Sequence, residues 1–354
     1  MAMTGEAQFA ERDLSDAVAA GIIDAATADR LAAFLAQREA PTSSEDEQLR
    51  LVSGFGDIFV AIGLVLFLGA LFFLTLDASL VMPAVATALA SWGLAELFTG
   101  IRRQALPSIL LLLTFAGSVF LVAVKLIDGS GSVALSAGFG DAAALAGGGL
   151  ITCLAVALHW WRFHVPITIA AACAAAAAAL LGVISIANPG IMTAFSGLIF
   201  LPLGLAIFAL AMRFDSSDRE RRTRRTDMAF WLHALAAPMV VHPVMQNITH
   251  GTGSGGAAVL LTFAAFLLLG LVALTVDRRA MLVSSLIYLG YAIYTVLRAG
   301  NALPTTSLAV LLVGAVVLGL SFAWRPLRAA LLARLPASIT LRVPPSHLAA
   351  SKSG

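Results

Sequence analysis

The sequence predicts an all-α fold, a polytopic bundle of about ten transmembrane helices preceded by a small cytoplasmic helical hairpin. Of its residues, 60% are hydrophobic and 12% are charged, whereas a soluble domain has about a quarter of its residues charged. Apolar runs near the length of about twenty residues that a membrane-crossing helix needs recur along the chain. A basic stretch at 213–227, with the sequence R-F-D-S-S-D-R-E-R-R-T-R-R-T-D, interrupts these runs.

Residues 1–40 are predicted to form the cytoplasmic hairpin. Its first helix ends at Gly21, which suits the left-handed C′ position, and Asp24 can cap the second helix. The second helix carries an apolar stripe at helical spacing, formed by Ala28, Leu31 and Leu35. Because so short a hairpin buries little core by itself, we expect the stripe to bind a protein partner, a second copy or the membrane domain. Residues 41–57 form an acidic linker and membrane entry.

Three segments of the chain carry a resemblance to a known family. They are D-L-x-x-A-V-x-x-G-I-I-D-x-x-x-A-x-x-L at 13–31, G-F-G-D-I-F-V-A-I-G-L at 54–64 and F-W-L-H-A-L-A-A-P-M-V-V-H-P-V at 230–244. The chain resembles an uncharacterised family of bacterial polytopic inner-membrane proteins with a short N-terminal helical-hairpin domain of unknown function. The resemblance implies an inner-membrane location and this architecture, and it supplies no catalytic residue.

The basic stretch divides the apolar sequence into two parts of similar length, which favours five spans on each side. Drawn run by run, the ten predicted spans are 58–76, 79–98, 106–126, 142–161, 167–186, 191–212, 228–246, 257–276, 280–298 and 307–324. The domains are therefore 58–212 with spans one to six, the basic cytoplasmic loop 213–227, the remaining spans in 228–324 and a basic cytoplasmic tail, 325–354. Two sets of five spans would be related by inverted topology.

The distribution of basic residues predicts that both termini are cytoplasmic. With the N-terminus inside, all of the 22 lysines and arginines except Lys125 and Arg298 fall on the inner side, as the positive-inside rule requires. The weakest span is the seventh, which contains two prolines and two histidines. We keep it, because without it the last arginines of the chain would face outward.

The ninth predicted span offers a candidate solute pocket. Hydroxyl and basic side chains repeat on it at helical spacing, namely Ser284, Tyr288, Tyr291 and Arg298, with Tyr294 at the edge of the same face. Together with His242 of the seventh span they are predicted to bind an anionic solute. The alternative is that Arg298 extends to the interface and that the tyrosines only pack between helices.

His233 of the seventh span is a candidate proton relay, since an intramembrane histidine is costly and titrates near neutral pH. No carboxylate partner is evident for it at mid-membrane depth, so a role in helix–helix hydrogen bonding stays open. His242 follows nine residues later and points to the other side of a straight helix, which excludes a shared metal.

Other polar groups in the spans have simpler interpretations. Glu96 is expected to pair with Arg102 and Arg103 or to extend to water. Cys153 and Cys173, the only two cysteines, are expected to act as small apolar packing residues. Small residues at 147–149 and 170–179 should let the fourth and fifth spans approach closely.

The sequence contains no recognisable set of catalytic residues, metal ligands or cofactor-binding motif in its cytoplasmic segments. It therefore predicts a non-enzymatic membrane protein without metal or cofactor, with the lipid bilayer and a partner of residues 1–40 as its contacts. Nucleic acid is not an expected partner, because topology and anionic lipid explain the basic loop better. The primary interpretation is an inner-membrane protein with an N-terminal association module. The alternative is a secondary transporter of a small solute, with a pocket between five-span halves.

Overall fold

The structure is a computed structural model of the chain. It describes residues 11–31, 55–76, 79–129, 141–190, 197, 199–218, 221, 223–252, 256–299, 305–340 and 343–344. The regular secondary structure of these residues is helical throughout. The chain divides into two compact units, Met1–Asp46 and Glu47–Gly354.

The N-terminal unit contains the expected helical hairpin, with α1 at Glu11–Ala19 and α2 at 25–31. Gly21 has a φ of 70°, and Ile22 N–H donates to the carbonyl of Ala17 at 2.9 Å, which closes α1 with a left-handed C′ glycine. The backbone N–H of Thr27 donates to Asp24 Oδ1 at 2.6 Å. Both predicted caps are therefore confirmed, and the part of the hairpin beyond residue 31 lies outside the described residues.

The second unit is built from ten long helices. They are α3 (Phe55–Leu74), α4 (Val81–Ala95, continued by a π-helical turn at Glu96–Ile101), α5 (Ala105–Asp128), α6 (Ala142–Phe163), α7 (Ile167–Ala187), α8 (Phe200–Ser217), α9 (Arg224–Thr252), α10 (Gly256–Val276), α11 (Ala280–Ala299) and α12 (Thr305–Leu332). A short α13 follows at Ala337–Thr340. Among the described residues nine helices are long and apolar enough to cross a membrane, and the apolar part of α11, Leu286–Arg298, is shorter. The predicted all-α polytopic bundle is confirmed.

Each predicted span overlaps one long helix, including the weak seventh, although residues 191–196 of the sixth lie outside the described residues. The seventh span lies within α9, which continues through Pro238 and Pro243. Six long helices, rather than five, precede the basic stretch, so the expectation of five spans on each side is wrong. The stretch is also shorter as a loop than predicted, because α8 continues to Ser217 and α9 begins at Arg224.

Close backbone contact joins α6 to α7. A Cβ at Gly149 would lie 2.4 Å from Ala179 N, and one at Gly182 would lie 2.3 Å from Ala146 N. The two helices therefore meet where a side chain does not fit, which confirms the predicted close approach of small-residue spans. In the second half of the chain α9 is central, with contacts to α7, α8, α10 and α11.

Candidate functional site

Three charged or titratable side chains meet inside the bundle where α8, α9 and the α10–α11 turn come together. Asp215 lies in the last turn of α8, His233 lies about two and a half turns into α9, and Arg278 follows α10. Asp215 and Arg278 are each 1% exposed and His233 is 0% exposed. Ionisable groups are rarely buried so completely within membrane helices unless they pair with one another.

The Asp215 carboxylate is shared by the other two side chains. Its Oδ1 accepts a hydrogen bond from an Nη of Arg278 at 2.5 Å, and its Oδ2 lies 3.3 Å from Arg278 Nε. The same Oδ2 lies 2.9 Å from His233 Nε2. This two-point contact between a guanidinium and a carboxylate is the strong, geometrically specific form of an ion pair. Arg278 also donates to the carbonyl of Thr226 in α9 at 3.2 Å.

The hydrogen bond to Asp215 determines which tautomer a neutral His233 adopts. An ionised carboxylate only accepts hydrogen bonds, so a neutral His233 donates Nε2–H to Asp215 and carries its free lone pair on Nδ1. Nδ1 is buried and has no hydrogen-bond partner among the described residues, and the Phe208 ring stands edge-on to the imidazole at 5.3 Å. Nδ1 is therefore the atom that can accept a further proton.

Asp277, next to Arg278, collects contacts from distant parts of the chain. It has a left-handed backbone, with a φ of 60°, and its carboxylate accepts a hydrogen bond from Trp324 Nε1 at 2.8 Å. Arg221 lies 3.1 Å and Arg328 lies 3.6 Å from the same carboxylate. Arg328 also donates to the carbonyl of Pro344 at 2.6 Å. The basic stretch, the α10–α11 turn, α12 and part of the tail thus converge on one aspartate.

Asp218 completes the polar region at the start of α9. Its Oδ2 accepts hydrogen bonds from the backbone N–H and hydroxyl of Thr223, at 2.8 and 2.7 Å, and from the hydroxyl of Thr226 at 2.9 Å. Three aspartates thus lie in one polar region with three arginines, namely Asp215, Asp218, Asp277, Arg221, Arg278 and Arg328. A proton taken up by His233 would add one positive charge beside the Asp215 carboxylate.

The structure supplies the carboxylate partner that sequence reasoning missed for His233. The expectation of no partner is wrong, because Asp215 was assigned to a loop beginning at residue 213. In the structure α8 runs through Asp215 and turns it inward. Arg278 and Arg328, counted only as inner-side charges, are buried partners. Sequence spacing gives little signal for this pair, because Asp215 lies in the last turn of α8 whereas His233 lies about two and a half turns into α9.

The predicted pocket residues of α11 do not converge. His242 Nδ1 and the hydroxyl of Tyr288 are in hydrogen-bond contact, so those two meet between α9 and α11. Tyr291 is 58% exposed, Arg298 is exposed at the end of α11, and Tyr294 packs against the apolar core. The side chain of Ser284 lies outside the described residues.

Glu96 has a different partner from the one expected. Its carboxylate receives two hydrogen bonds from Arg162 of α6, from Nε at 3.1 Å and from an Nη at 2.6 Å, so the predicted pairing with Arg102 or Arg103 is wrong. Antiparallel α5 lies between α4 and α6, which brings their ends to the same side of the bundle. The two cysteines are free and partly buried.

No protein-family model, no curated protein and no solved structure matches this chain. The resemblance to an uncharacterised inner-membrane family therefore stays a prediction. Function has to be argued from the geometry of the buried polar groups.

Proposed function

We propose that this integral membrane protein is a non-enzymatic secondary transporter of a small solute, in which protonation of His233 is coupled to solute movement. The observation that carries the proposal is the fully buried set of Asp215, His233 and Arg278, which joins the last turn of α8 to α9 and to the α10–α11 turn. Ionisable groups at such positions are costly to bury and commonly belong to substrate or proton pathways.

A single carboxylate with two partners provides a switch. When His233 is neutral, Arg278 holds both oxygens of Asp215. A proton on His233 Nδ1 creates a second cation beside the same carboxylate, and the two cations then compete for it. The contact between Arg278 and Asp215 weakens, which loosens the α10–α11 turn from α8. Protonation thereby shifts the balance between two arrangements of these helices.

The same helix links the proton site to the proposed solute site. His233 and His242 are both on α9, and His242 contacts Tyr288 of α11. Pro238 lies between the two histidines, lacks the backbone N–H that an intact helix uses, and allows bending there. In the proposal the solute binds beside His242 and Tyr288, and α9 bends at Pro238.

The experiment is proton movement in proteoliposomes that contain a trapped pH-sensitive dye. Gradients of amino acids, carboxylates and sugars are imposed one at a time, and one class is expected to change the internal pH. His233→Gln and Asp215→Asn should abolish that change, whereas Cys153→Ala, a partly buried residue outside the site, should keep it. Transport that persists without proton movement in His233→Gln would leave a transporter but remove the proton coupling. A panel in which no solute moves protons contradicts the proposal.

A second proposal, association through the N-terminal unit, has one favourable observation. Residues Met1–Asp46 form a compact unit of their own, and Ile22 in its turn is 75% exposed. Deleting residues 1–46 should then remove a co-purifying partner or reduce the oligomer size while leaving solute-driven proton movement intact. An unchanged oligomer and an unchanged set of partners would rule this proposal out.

The location and orientation belong to the proposal as well. We propose the bacterial inner membrane with both termini cytoplasmic, which the resemblance and the distribution of 20 of the 22 basic residues support. A thiol-reactive label applied outside intact cells should miss cysteines placed at either terminus. Labelling of either terminus from outside would reverse the orientation.

A further inference from the structure

A second buried histidine, His159 of α6, lies in surroundings unlike those of His233. It is 1% exposed, and its ring is enclosed by the aromatic rings of Trp92, Phe115 and Phe163 at centroid distances of 5.8, 5.8 and 4.6 Å. Neither Nδ1 nor Nε2 has a hydrogen-bond partner among the described residues. At least one N–H donor of the imidazole is therefore buried without a partner among the described residues, which destabilises the fold unless another molecule accepts its hydrogen bond.

The hydroxyls of Thr87, Thr152 and Ser185 are also buried without a hydrogen-bond partner among the described residues, farther along α4, α6 and α7. Other such atoms lie at the same end of the bundle as His159. They are the hydroxyl of Thr99, Oε1 of Gln104 and the hydroxyl of Thr168, with the hydroxyl of Ser91 deeper along α4. Thr99 and Gln104 lie at the α4–α5 junction, Thr168 is the second residue of α7, and His159 is one turn before the end of α6. These helix ends meet, because Glu96 of the π-helical turn pairs with Arg162 at the end of α6. The residues after α6 and at the start of α7, Val165 and Ile167, also pack against Leu112 of α5.

The pair Glu96 and Arg162 gives this end a polar entrance. Both side chains are partly exposed, at 38% and 51%. Glu96 is one turn beyond Trp92 and Arg162 is one turn beyond His159. A Cβ at Gly100 would lie 3.6 Å from Glu96 Oε2 and 3.9 Å from the Phe163 ring, so the glycine lies between the charged pair and the aromatic enclosure. The π-helical turn Glu96–Ile101 is a feature found often at functional sites.

We propose that water enters the bundle at this end as far as His159, which makes His159 a second site that exchanges protons with the solution. Buried waters bind to polar groups that lack protein partners, and the atoms that need such bonds converge here from four helices. The rings pack directly around the imidazole, so the bound species are water and protons rather than a larger solute. Among the described residues, the charged or titratable groups at this end are Asp57 in the first turn of α3, Glu96, Arg102 and Arg103 in and after the π-helical turn, and Arg162 and His164 at the end of α6. The first turns of α5 and α7 contribute none.

The experiment measures thiol modification in a variant that carries Cys153→Ala and Cys173→Ala, reconstituted in liposomes. Thr168→Cys and His159→Cys are treated with a small water-soluble methanethiosulfonate, and the rate of modification is compared with that of Leu158→Cys. Leu158 is the neighbour of His159 on α6 and is 52% exposed on the apolar surface. Modification needs the thiolate, which apolar surroundings suppress, so both test positions should react at least about tenfold faster than the control.

Thr168→Cys keeps His159 in place, so the test survives if His159→Cys fails to fold. Ser216→Cys, at an exposed position in the last turn of α8, confirms that the reagent is active. Modification of Thr168→Cys as slow as that of Leu158→Cys, with Ser216→Cys reacting quickly, would overturn the proposal. Equally fast modification of Leu158→Cys would overturn it too, because water access would then not be confined to this site. Neither result depends on solute transport, so the outcome is independent of the function proposed above.

Discussion

Among the described residues, each half of the membrane unit buries one histidine, and the two histidines have different surroundings. His233 hydrogen bonds to Asp215, which Arg278 also holds. His159 has a wall of aromatic rings and no hydrogen-bond partner among the described residues. The two histidines are therefore equally buried, but one lies beside charged groups and the other beside aromatic rings. Burial alone does not show whether a histidine has a charged partner.

The same contrast extends to how the helices are held together. Around α6 and α7, backbone meets backbone at Gly149 and Gly182, and the ion pair of Glu96 with Arg162 is partly exposed. Around α8, α9 and the α10–α11 turn, the ion pairs are buried and connect segments far apart in sequence. Adding a side chain at a close backbone contact should therefore destabilise the region around α6 and α7. Removing a charge should destabilise the region around α8, α9 and the α10–α11 turn.

The largest effect is expected from Arg278→Ala. The substitution leaves Asp215 buried with only His233 beside it, and removing one member of a buried pair costs about 3–5 kcal/mol. Thermal unfolding of the detergent-purified protein should show the loss. Arg279→Ala is the matched control, because Arg279 lies over the Trp324 ring at 5.2 Å, a contact worth about 0.5–1 kcal/mol. If both substitutions lowered the unfolding temperature equally, burial of the arginine would not determine its contribution to stability.

The sequence predicted the fold well because each span is a local signal. Length, hydropathy and turn residues placed ten helices, and Gly21 and Asp24 predicted the hairpin caps that the structure contains. The candidate site was predicted only in part. His233 was selected for being ionisable within a span, but its partners come from residues 215 and 278, and pairing over such separations depends on how the helices pack.

The predicted pocket on α11 also shows that helix packing determines which residues are in contact. Tyr288, Tyr291 and Arg298 share a face of α11 by spacing, yet Tyr288 contacts His242 whereas Tyr291 and Arg298 are exposed. Helical spacing determines which residues share a face, whereas the neighbouring helices determine which part of that face is buried. The end of α8 depends on helix packing in the same way. The sequence predicts a loop from residue 213, whereas α8 includes Asp215, so the contact between Asp215 and His233 is not predicted.

The second prediction compares the two histidines directly. His233→Phe removes a hydrogen bond to a charged group and should lower the free energy of unfolding by about 1.5–3 kcal/mol. His159→Phe removes no hydrogen bond to another described side chain and keeps an aromatic ring of similar shape, so its cost should stay below about 1.5 kcal/mol. Both are measured by thermal unfolding in the same detergent. A larger loss for His159→Phe would mean that its role in stability is the greater of the two.

The third prediction tests the close approach of α6 and α7. In Gly182→Ala the new Cβ meets backbone atoms of Ala146, so the helices must separate, at a cost of about 1–3 kcal/mol. Gly63→Ala is the control, because its Cβ would meet nothing within 4 Å and alanine favours the helix by up to about 1 kcal/mol. Unfolding temperatures should therefore change in opposite directions. A neutral Gly182→Ala would mean that the contact has room to adjust.

The smallest effect concerns a single exposed cap outside the membrane unit. The hydrogen bonds donated by the hydroxyl and the backbone N–H of Thr27 hold the pKa of Asp24 below its ordinary value of 3.8. Because the pKa of Asp24 is lower in the folded hairpin than in the unfolded chain, ionised Asp24 stabilises the hairpin at pH values above its unfolded-state pKa. That contribution disappears as the pH falls through the folded-state pKa of Asp24. Asp24→Ala should therefore speed amide hydrogen exchange in α2 at pH 7 and make no difference at a pH below the folded-state pKa of Asp24.

Asp29→Ala, an exposed aspartate on the same helix, should leave the exchange of the first α2 amides unchanged. Equal acceleration by both substitutions would indicate a loss of helix charge rather than of the cap.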